Sequence, residues 1–383
     1  MMRGVCVPVR ETQPAAPGTR DGGVPSRLPS WALPSALIVA GLVVSSPDAA
    51  HAENTEFMLG VSYFGALGPG VDIEDDIPTL ARSHHFNHLW VWGLWMEPSL
   101  DTASVFDKKG RIRDEVAARL DKLIGLAGAE DMTLTLSFDP DEHRRMWGGR
   151  KPKFKTYLNG LRAIAAWLRQ NDNYSKYRNV MLNVCTECVT TWDRGSAAGY
   201  TTKLMSHYSD RSIREDPAAA VIELFDAVNG LGGDPIPAFI SLAFNDDEKY
   251  IDMATSFYRR LQPATGRLIA APHFERSCED WYAKTESRIR SFCEKLGVDA
   301  EIYLQEENRR HNKILGHECD IQTSHFLEAA CQARRAGSIG WVFQTQAGFG
   351  KTSSFFDGLD QIESQTVDQL EDHVARCGDG SGS

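Results

Sequence analysis

The chain has 383 residues, 42% of them hydrophobic and 24% charged. That composition belongs to a globular protein with ample length for a large core. The net charge of −11 argues against an extended nucleic-acid footprint while leaving room for a local basic patch.

The first 52 residues stand apart from the rest. Arg3, Arg10, Arg20 and Arg27 precede an apolar run from about Trp31 to Val44. Ala50 and Ala52 then stand in a small-x-small arrangement. A charged lead, an apolar run and a small-residue end read as an export signal cleaved after Ala52. The apolar run falls short of the roughly 20 residues a membrane span needs, and no later segment resembles one. We therefore expect an exported protein, periplasmic or extracellular, with no stable membrane insertion after cleavage. Residues 53–376 should form one domain and residues 377–383 a flexible tail. The part after residue 52 carries 37 basic and 49 acidic residues.

Strands and helices then alternate. Phe57 to Gly65 is apolar and β-prone, a first strand, and Asp72 to His85 a first helix with Ile73, Ile77, Leu80 and Ala81 at helical spacing. His88 to Trp95 is a second strand rich in aromatics. Phe106 to Gly110 is a turn, and Val116, Leu120, Leu123, Ile124 and Ala127 line a helix. Met132 to Phe138 is a third strand. A polar loop leads to a helix with Leu158, Leu161, Ile164, Ala165 and Leu168 on one side. Asn179 to Glu187 is the fourth strand, followed by a long loop to about Glu215. Loops of that length are usually functional. Asp216-Pro217 starts a helix, with an acid at the N-cap and proline at the first position. Ile236 to Phe244 is the fifth strand, and its helix should end before Pro263. Arg267 to His273, Glu301 to Arg309 and Ser338 to Thr345 supply strands six, seven and eight. Helices follow over Trp281–Leu296, Ser324–Ala336 and Leu359–Ala375.

Eight strands alternating with eight helices over roughly 320 residues favour a single (β/α)8 TIM barrel of the α/β class. A doubly wound open sheet would want a glycine-rich first turn, and Gly65-Ala66-Leu67-Gly68-Pro69-Gly70 lacks GxGxxG. Seven cysteines remain after residue 52. Cys278/Cys293 and Cys319/Cys331 are plausible local pairs, and Cys185-Thr-Glu-Cys188 reads as structural cysteines or a disulfide. No second CxxC exists to complete a zinc site. Gly348-Phe-Gly350-Lys351-Thr352 lacks the first glycine of a P-loop, His317-Glu318-Cys319-Asp320 lacks HExxH spacing, and no GxSxG occurs. We expect neither metal nor cofactor.

In such a barrel the active site lies at the C-terminal ends of the strands. Those ends bring Trp92, Trp95, Glu187, His273 and Glu306 or Glu307 to one face, with Trp341 on the last strand and Trp192 in the long loop. Paired carboxylates with histidines and tryptophans suit carbohydrate chemistry: one acid protonates a leaving oxygen, and the other attacks the anomeric carbon or activates water. The order and spacing of several short segments resemble the clan A glycoside hydrolases, retaining (β/α)8 enzymes of cellulase and β-mannanase type. Arg178-Asn-Val-Met-Leu-Asn-Val-Cys-Thr-Glu187 is similar to their strand-four segment and Glu301-Ile-Tyr-Leu-Gln-Glu306 to their strand-seven segment. Pro272-His273-Phe274 and Gly340-Trp341-Val-Phe resemble strands six and eight. The resemblance implies Glu187 as acid/base and Glu306, ahead of Glu307, as nucleophile. It further implies Thr186, His273, Trp341, Trp92, Trp95 and Trp192 as substrate-binding residues and a β-linked carbohydrate as substrate. The chain departs from the family at Thr186, where asparagine is usual, and in lacking the strand-two arginine. A catalytically impaired barrel that still binds carbohydrate is the alternative. Oligomeric state is not legible.

Overall fold

The computed structural model describes residues 56–96, 102–148, 150–170, 179–192, 200–230, 235–243, 248–265, 268–274, 281–305, 308–310, 313–314, 317–345, 347–349 and 353–377. The chain divides into two units, Val9–Glu56 and the remainder, and apart from Glu56 all described residues lie in the larger one. The expected signal segment, both candidate nucleophiles (Glu306 and Glu307) and residues 378–383 lie outside the described residues.

Eight parallel strands close into a barrel. They are β1 (Met58–Ser62), β2 (His88–Trp92), β3 (Thr133–Ser137), β4 (Val180–Asn183), β5 (Ala238–Ala243), β6 (Ile269–His273), β7 (Glu301–Leu304) and β8 (Gly340–Phe343). Each pairs with its sequence neighbours, and β8 pairs with β1. The main helices follow the strands in turn: α1 (Ile73–Arg82), α2 (Asp114–Ala129), α3 (Phe154–Gln170), α4 (Pro217–Asn229), α5 (Glu248–Thr265), α6 (Thr285–Leu296), α7 (Thr323–Arg335) and α8 (Gln361–Cys377). This is the single (β/α)8 barrel the alternation predicts. Helix starts follow local chemistry. Asp72 and Asp216 cap α1 and α4 by accepting from the Asp75 and Ala219 N–H groups, and Pro217 occupies the first turn of α4.

Several expectations change. Helix α5 continues through Pro263 to Thr265, and α8 extends to Cys377, into the expected tail. The segment after β4 holds a hairpin, Val189–Trp192 against Tyr200–Thr202, and two short helices, Lys203–His207 and Arg211–Glu215. Its Val-Thr-Thr-Trp run is β-prone, and pairing with residues 200–202 supplies the partner it needs. A further hairpin, Leu94–Met96 against Thr102–Ser104, follows β2. Disulfides join Cys185 to Cys188 and Cys331 to Cys377. The second links α7 to α8 and overturns the local Cys319/Cys331 pairing, because Cys377 lies on the helix packed beside Cys331.

Alternate side chains of each strand divide between two cores. Phe64, Trp90, Met181, Phe239, Ile269, Ala271, Tyr303 and Val342 fill the barrel interior. The opposite parity, including Leu59, Leu89, Leu134, Leu182, Ile302, Leu304, Trp341 and Phe343, packs outward under the helices. Deep inside, His88 contacts the Tyr303 hydroxyl and the Thr133 hydroxyl, both at 2.6 Å. Burial pushes this imidazole down to about 3, so it stays neutral. The loop after β8 is fixed from two sides. The Asp76 carboxylate accepts from Ser354 Oγ, the Phe355 N–H and the Tyr63 hydroxyl. Gly348 crosses β1 so closely that a Cβ there would lie 2.1 Å from the Ser62 carbonyl oxygen.

Two outcomes are expected. Gly348→Ala should destabilise the protein by about 1–3 kcal/mol, because backbone must move to admit a methyl group; an unchanged denaturation midpoint would contradict this packing. Burial depresses the folded-state values of His88 and His143, to about 3 and about 4. A depressed imidazole contributes stability that is fully present above the unfolded value, roughly 6.5, and is lost as pH falls. Denaturant titrations should therefore show about 4 kcal/mol lost between about pH 7 and 5, roughly 2 from each imidazole. Stability that stays flat over that interval would count against neutral buried imidazoles.

Candidate active site

The strand alternation that fills the interior also selects what reaches its mouth. The last inward positions of β3 and β6 are Ser137 and His273, and Ser241 is an inward position of β5. Gln305, one residue past β7, continues the inward parity of Tyr303 and is fully buried beside His273, with Nε2 3.4 Å from the ring Nε2. Trp90 donates to Ser137 Oγ at 2.7 Å, and Asn183 donates to Ser241 Oγ at 3.1 Å. These bonds make a polar floor in which each hydroxyl is held by a neighbouring strand.

Glu187 sits on that floor. Its backbone has φ 48°, in the left-handed region that side chains other than glycine rarely adopt. Two contacts hold the turn: the Glu187 N–H donates to Ser241 Oγ at 2.9 Å, and the Cys185–Cys188 disulfide spans the residue. Strained backbone at a strand end costs about 1–3 kcal/mol and is characteristic of functional positions. The carboxylate is 31% exposed, with Oε1 3.5 Å from His273 Nδ1 and Oε2 3.4 Å from Lys203 Nζ.

Lys203 is the residue that sequence reasoning missed. It follows the 189–202 hairpin, whose return is tied down by the Lys203 N–H donating to the Cys188 carbonyl at 2.9 Å. Its ammonium, only 12% exposed, lies 2.8 Å from Asp139 Oδ2 as well as beside Glu187. Burial works against its charge, but Asp139 and then Glu187 outweigh it and raise the lysine above its ordinary value. Asp139 ends the third strand segment and caps the short helix Pro140–Arg145, accepting from the Asp141 N–H at 2.8 Å. Burial lowers Arg309 below its ordinary value, and the charge of Glu187 acts against that shift, which sets this guanidinium within electrostatic reach of the same carboxylate. Arg309 is half-buried, and its neighbour Arg310 anchors the segment by bonding Asp360 and the Ile321 carbonyl.

The other expected residues divide. His273 is buried and acts on the mouth through Glu187. Trp92 is half-buried and stacks on Phe64, centroids 4.3 Å apart. Thr186 is buried, its hydroxyl shut from solvent, because the chain turns at Glu187 and leaves Thr186 between strand ends, its N–H on the Phe138 carbonyl. Trp341 is a correction. It pairs in register with Leu59 and Leu304, carries the outward parity and packs in the outer core with Phe343. The side chains of Trp95 and Trp192 lie outside the described residues, as does Glu306.

No protein-family model matches the chain, and no curated protein is similar to it. Solved structures do resemble it. A glycoside hydrolase family 5 enzyme from Prevotella bryantii is 13% identical, with 84% of this chain and 96% of that one covered, at a TM-score of 0.54. A broad-specificity endoglucanase of the same family, from an uncultured bacterium, is 12% identical over 80% of this chain and 85% of that one, at 0.51. A psychrophilic family 10 endo-β-1,4-xylanase is 12% identical over 81% and 96%, also at 0.51. Likeness at such identities establishes the fold alone: the chain is a (β/α)8 barrel whose backbone resembles those of these glycoside hydrolases.

Lys203 neutralises two carboxylates at once, so its removal leaves them facing each other. Lys203→Met should destabilise the protein by roughly 2–4 kcal/mol, less than for a fully buried pair because both acids keep some solvent. Adding Asp139→Asn should recover part of that loss in a denaturation double-mutant cycle. Additive effects would show that Lys203 and Asp139 are not coupled.

Proposed function

We propose that the chain is a retaining glycoside hydrolase acting on a β-linked glycan, with Glu187 as general acid/base and Glu306 as nucleophile. The observation that carries the reading is Glu187 itself: a partly exposed carboxylate at the end of β4, in left-handed backbone, held between His273 and Lys203. The fold neighbours include an endoglucanase and a xylanase, which makes a glycan substrate the natural first choice.

The chemistry follows from two carboxylates. Glu306 attacks the anomeric carbon while Glu187 gives its proton to the departing glycosidic oxygen. The resulting glycosyl ester is opened by water, which loses a proton to Glu187 as Glu306 departs. His273, fixed by Gln305, orients one oxygen of Glu187. Lys203 is a competing partner of the other oxygen, and Asp139 holds the ammonium back at the shorter distance, 2.8 against 3.4 Å. Glu187 can thus turn toward substrate without leaving Lys203 unpaired.

Glu306 is chosen by the family register. Counted along the sequence, Glu306 has the parity of Ile302 and Leu304, and Glu307 that of Tyr303 and Gln305. The test therefore includes both. Glu187→Gln and Glu306→Gln should each lose about 100-fold or more in turnover on β-linked glycans, the scale of one acid–base group. Full activity in Glu187→Gln would sink the proposal. An inactive Glu307→Gln beside an active Glu306→Gln would transfer the nucleophile's role.

A second reading, a barrel that binds glycan without cleaving it, is favoured by Thr186. The family's asparagine at that position reaches the sugar, and the hydroxyl here is shut from solvent. Glycan binding that survives in Glu306→Gln, with no hydrolysis by either protein, would select it.

A further inference from the structure

Although the chain is acidic overall, residues 107–115 and 141–155 together hold ten basic residues against five acidic ones. These segments meet in space. Arg113 Nη2 lies 4.0 Å from Met146 Sδ, and the Lys108 ammonium lies 5.7 Å from the centre of the Trp147 ring. The turn at Gly110 rests on the start of α3, where a Cβ would come within 2.9 Å of the Gly160 nitrogen and the Thr156 carbonyl oxygen. A cleft of about 770 Å3 opens between them, lined by residues of the 107–115 segment and by Met146.

Much of this charge is uncommitted. Arg144 and Arg145 pair with Asp141, and Arg111 pairs with Asp107. Lys108, Lys109, Arg113, Arg150, Lys151 and Lys155 have no carboxylate within ion-pair distance among the described residues. All but Arg113 are exposed.

The position of the patch decides its use. Barrel helices run back against the strands, so the N-termini of α2 at Asp114 and α3 at Phe154 lie at the end where Glu187 sits. Both helix dipoles add positive potential at that rim. The patch is also joined to the candidate site through Asp139, which holds Lys203 and caps the helix Pro140–Arg145 that leads into the second basic segment.

We propose that this rim binds the acidic groups of the glycan, so that the substrate is a β-linked polysaccharide bearing carboxylate or sulfate groups. The proposal rests on the glycosidase reading for its ligand class. A long anion that reached beyond the rim would meet the acidic remainder of the protein, which favours a chain threading the mouth over a broad polyanion footprint.

The test compares polymers on one backbone. Carboxymethyl cellulose and neutral hydroxyethyl cellulose are cast into native gels, with single-stranded DNA as a third ligand, and retardation of the full-length protein is measured. We expect the anionic cellulose to bind about tenfold tighter than the neutral one at low salt, with the gap closing as the Debye length shrinks at higher salt. The exposed quadruple variant Lys108→Glu, Lys109→Glu, Lys151→Glu and Lys155→Glu should lose that preference, and the matching glutamine variant should lose most of it while keeping the wild-type thermal midpoint. Equal retardation by the two celluloses, or an unaffected glutamate variant, would overturn the proposal. DNA binding as tight as the anionic cellulose would replace a glycan site by a general polyanion surface. Because binding needs no turnover, hydrolysis of neutral glycan without anionic preference defeats this inference alone, and anionic binding without hydrolysis defeats the catalytic reading alone.

Discussion

In a closed barrel of parallel strands, side chains alternate between an interior with no exit except its ends and an outer layer sealed by helices. That constraint decides which residues can take part in chemistry here. His88, Trp90 and Tyr303 fill the interior and carry the site from beneath. Ser137, Ser241, His273 and Gln305 form the next layer, and Glu187 stands above them. Trp341 is one position out of phase with that column and belongs to the outer core, however suggestive its neighbourhood in sequence.

The mouth itself is organised by charge. Asp139, Lys203 and Glu187 come from three different segments, and the lysine is kept charged by the acids it joins. The hairpin that delivers Lys203 is anchored where it leaves and where it returns, by the Cys185–Cys188 disulfide and by the Lys203–Cys188 backbone bond. An insertion that reads as a loop is thus a device for placing one ammonium. The basic rim between α2 and α3 extends the same logic outward, from a fixed ion pair to cations left available for a ligand.

The fold was legible because its signals are local. Apolar runs marked all eight barrel strands, and helical spacing marked the helices on the side each buries. Asp216-Pro217 announced α4 by its own chemistry. Glu187 and His273 were legible as strand-end residues, and the structure brings them to 3.5 Å. Lys203 left no signal, because nothing in Thr-Thr-Lys-Leu says that a hairpin folds it back onto Asp139, 64 residues earlier. The Cys331–Cys377 bond likewise depends on two helices packing side by side, and short spacing favoured the wrong partner. Trp341 misled because a motif match fixes a residue type in a strand and not its face.

The central claim is that Glu187 works at this mouth in a double displacement. Proton NMR of the first product released from a β-linked glycan, recorded before mutarotation, tests it most directly. The account predicts the β-anomer first, the configuration of the bond that was cut. Initial release of the α-anomer would mean a single displacement through water, and would contradict the covalent intermediate on which the account depends.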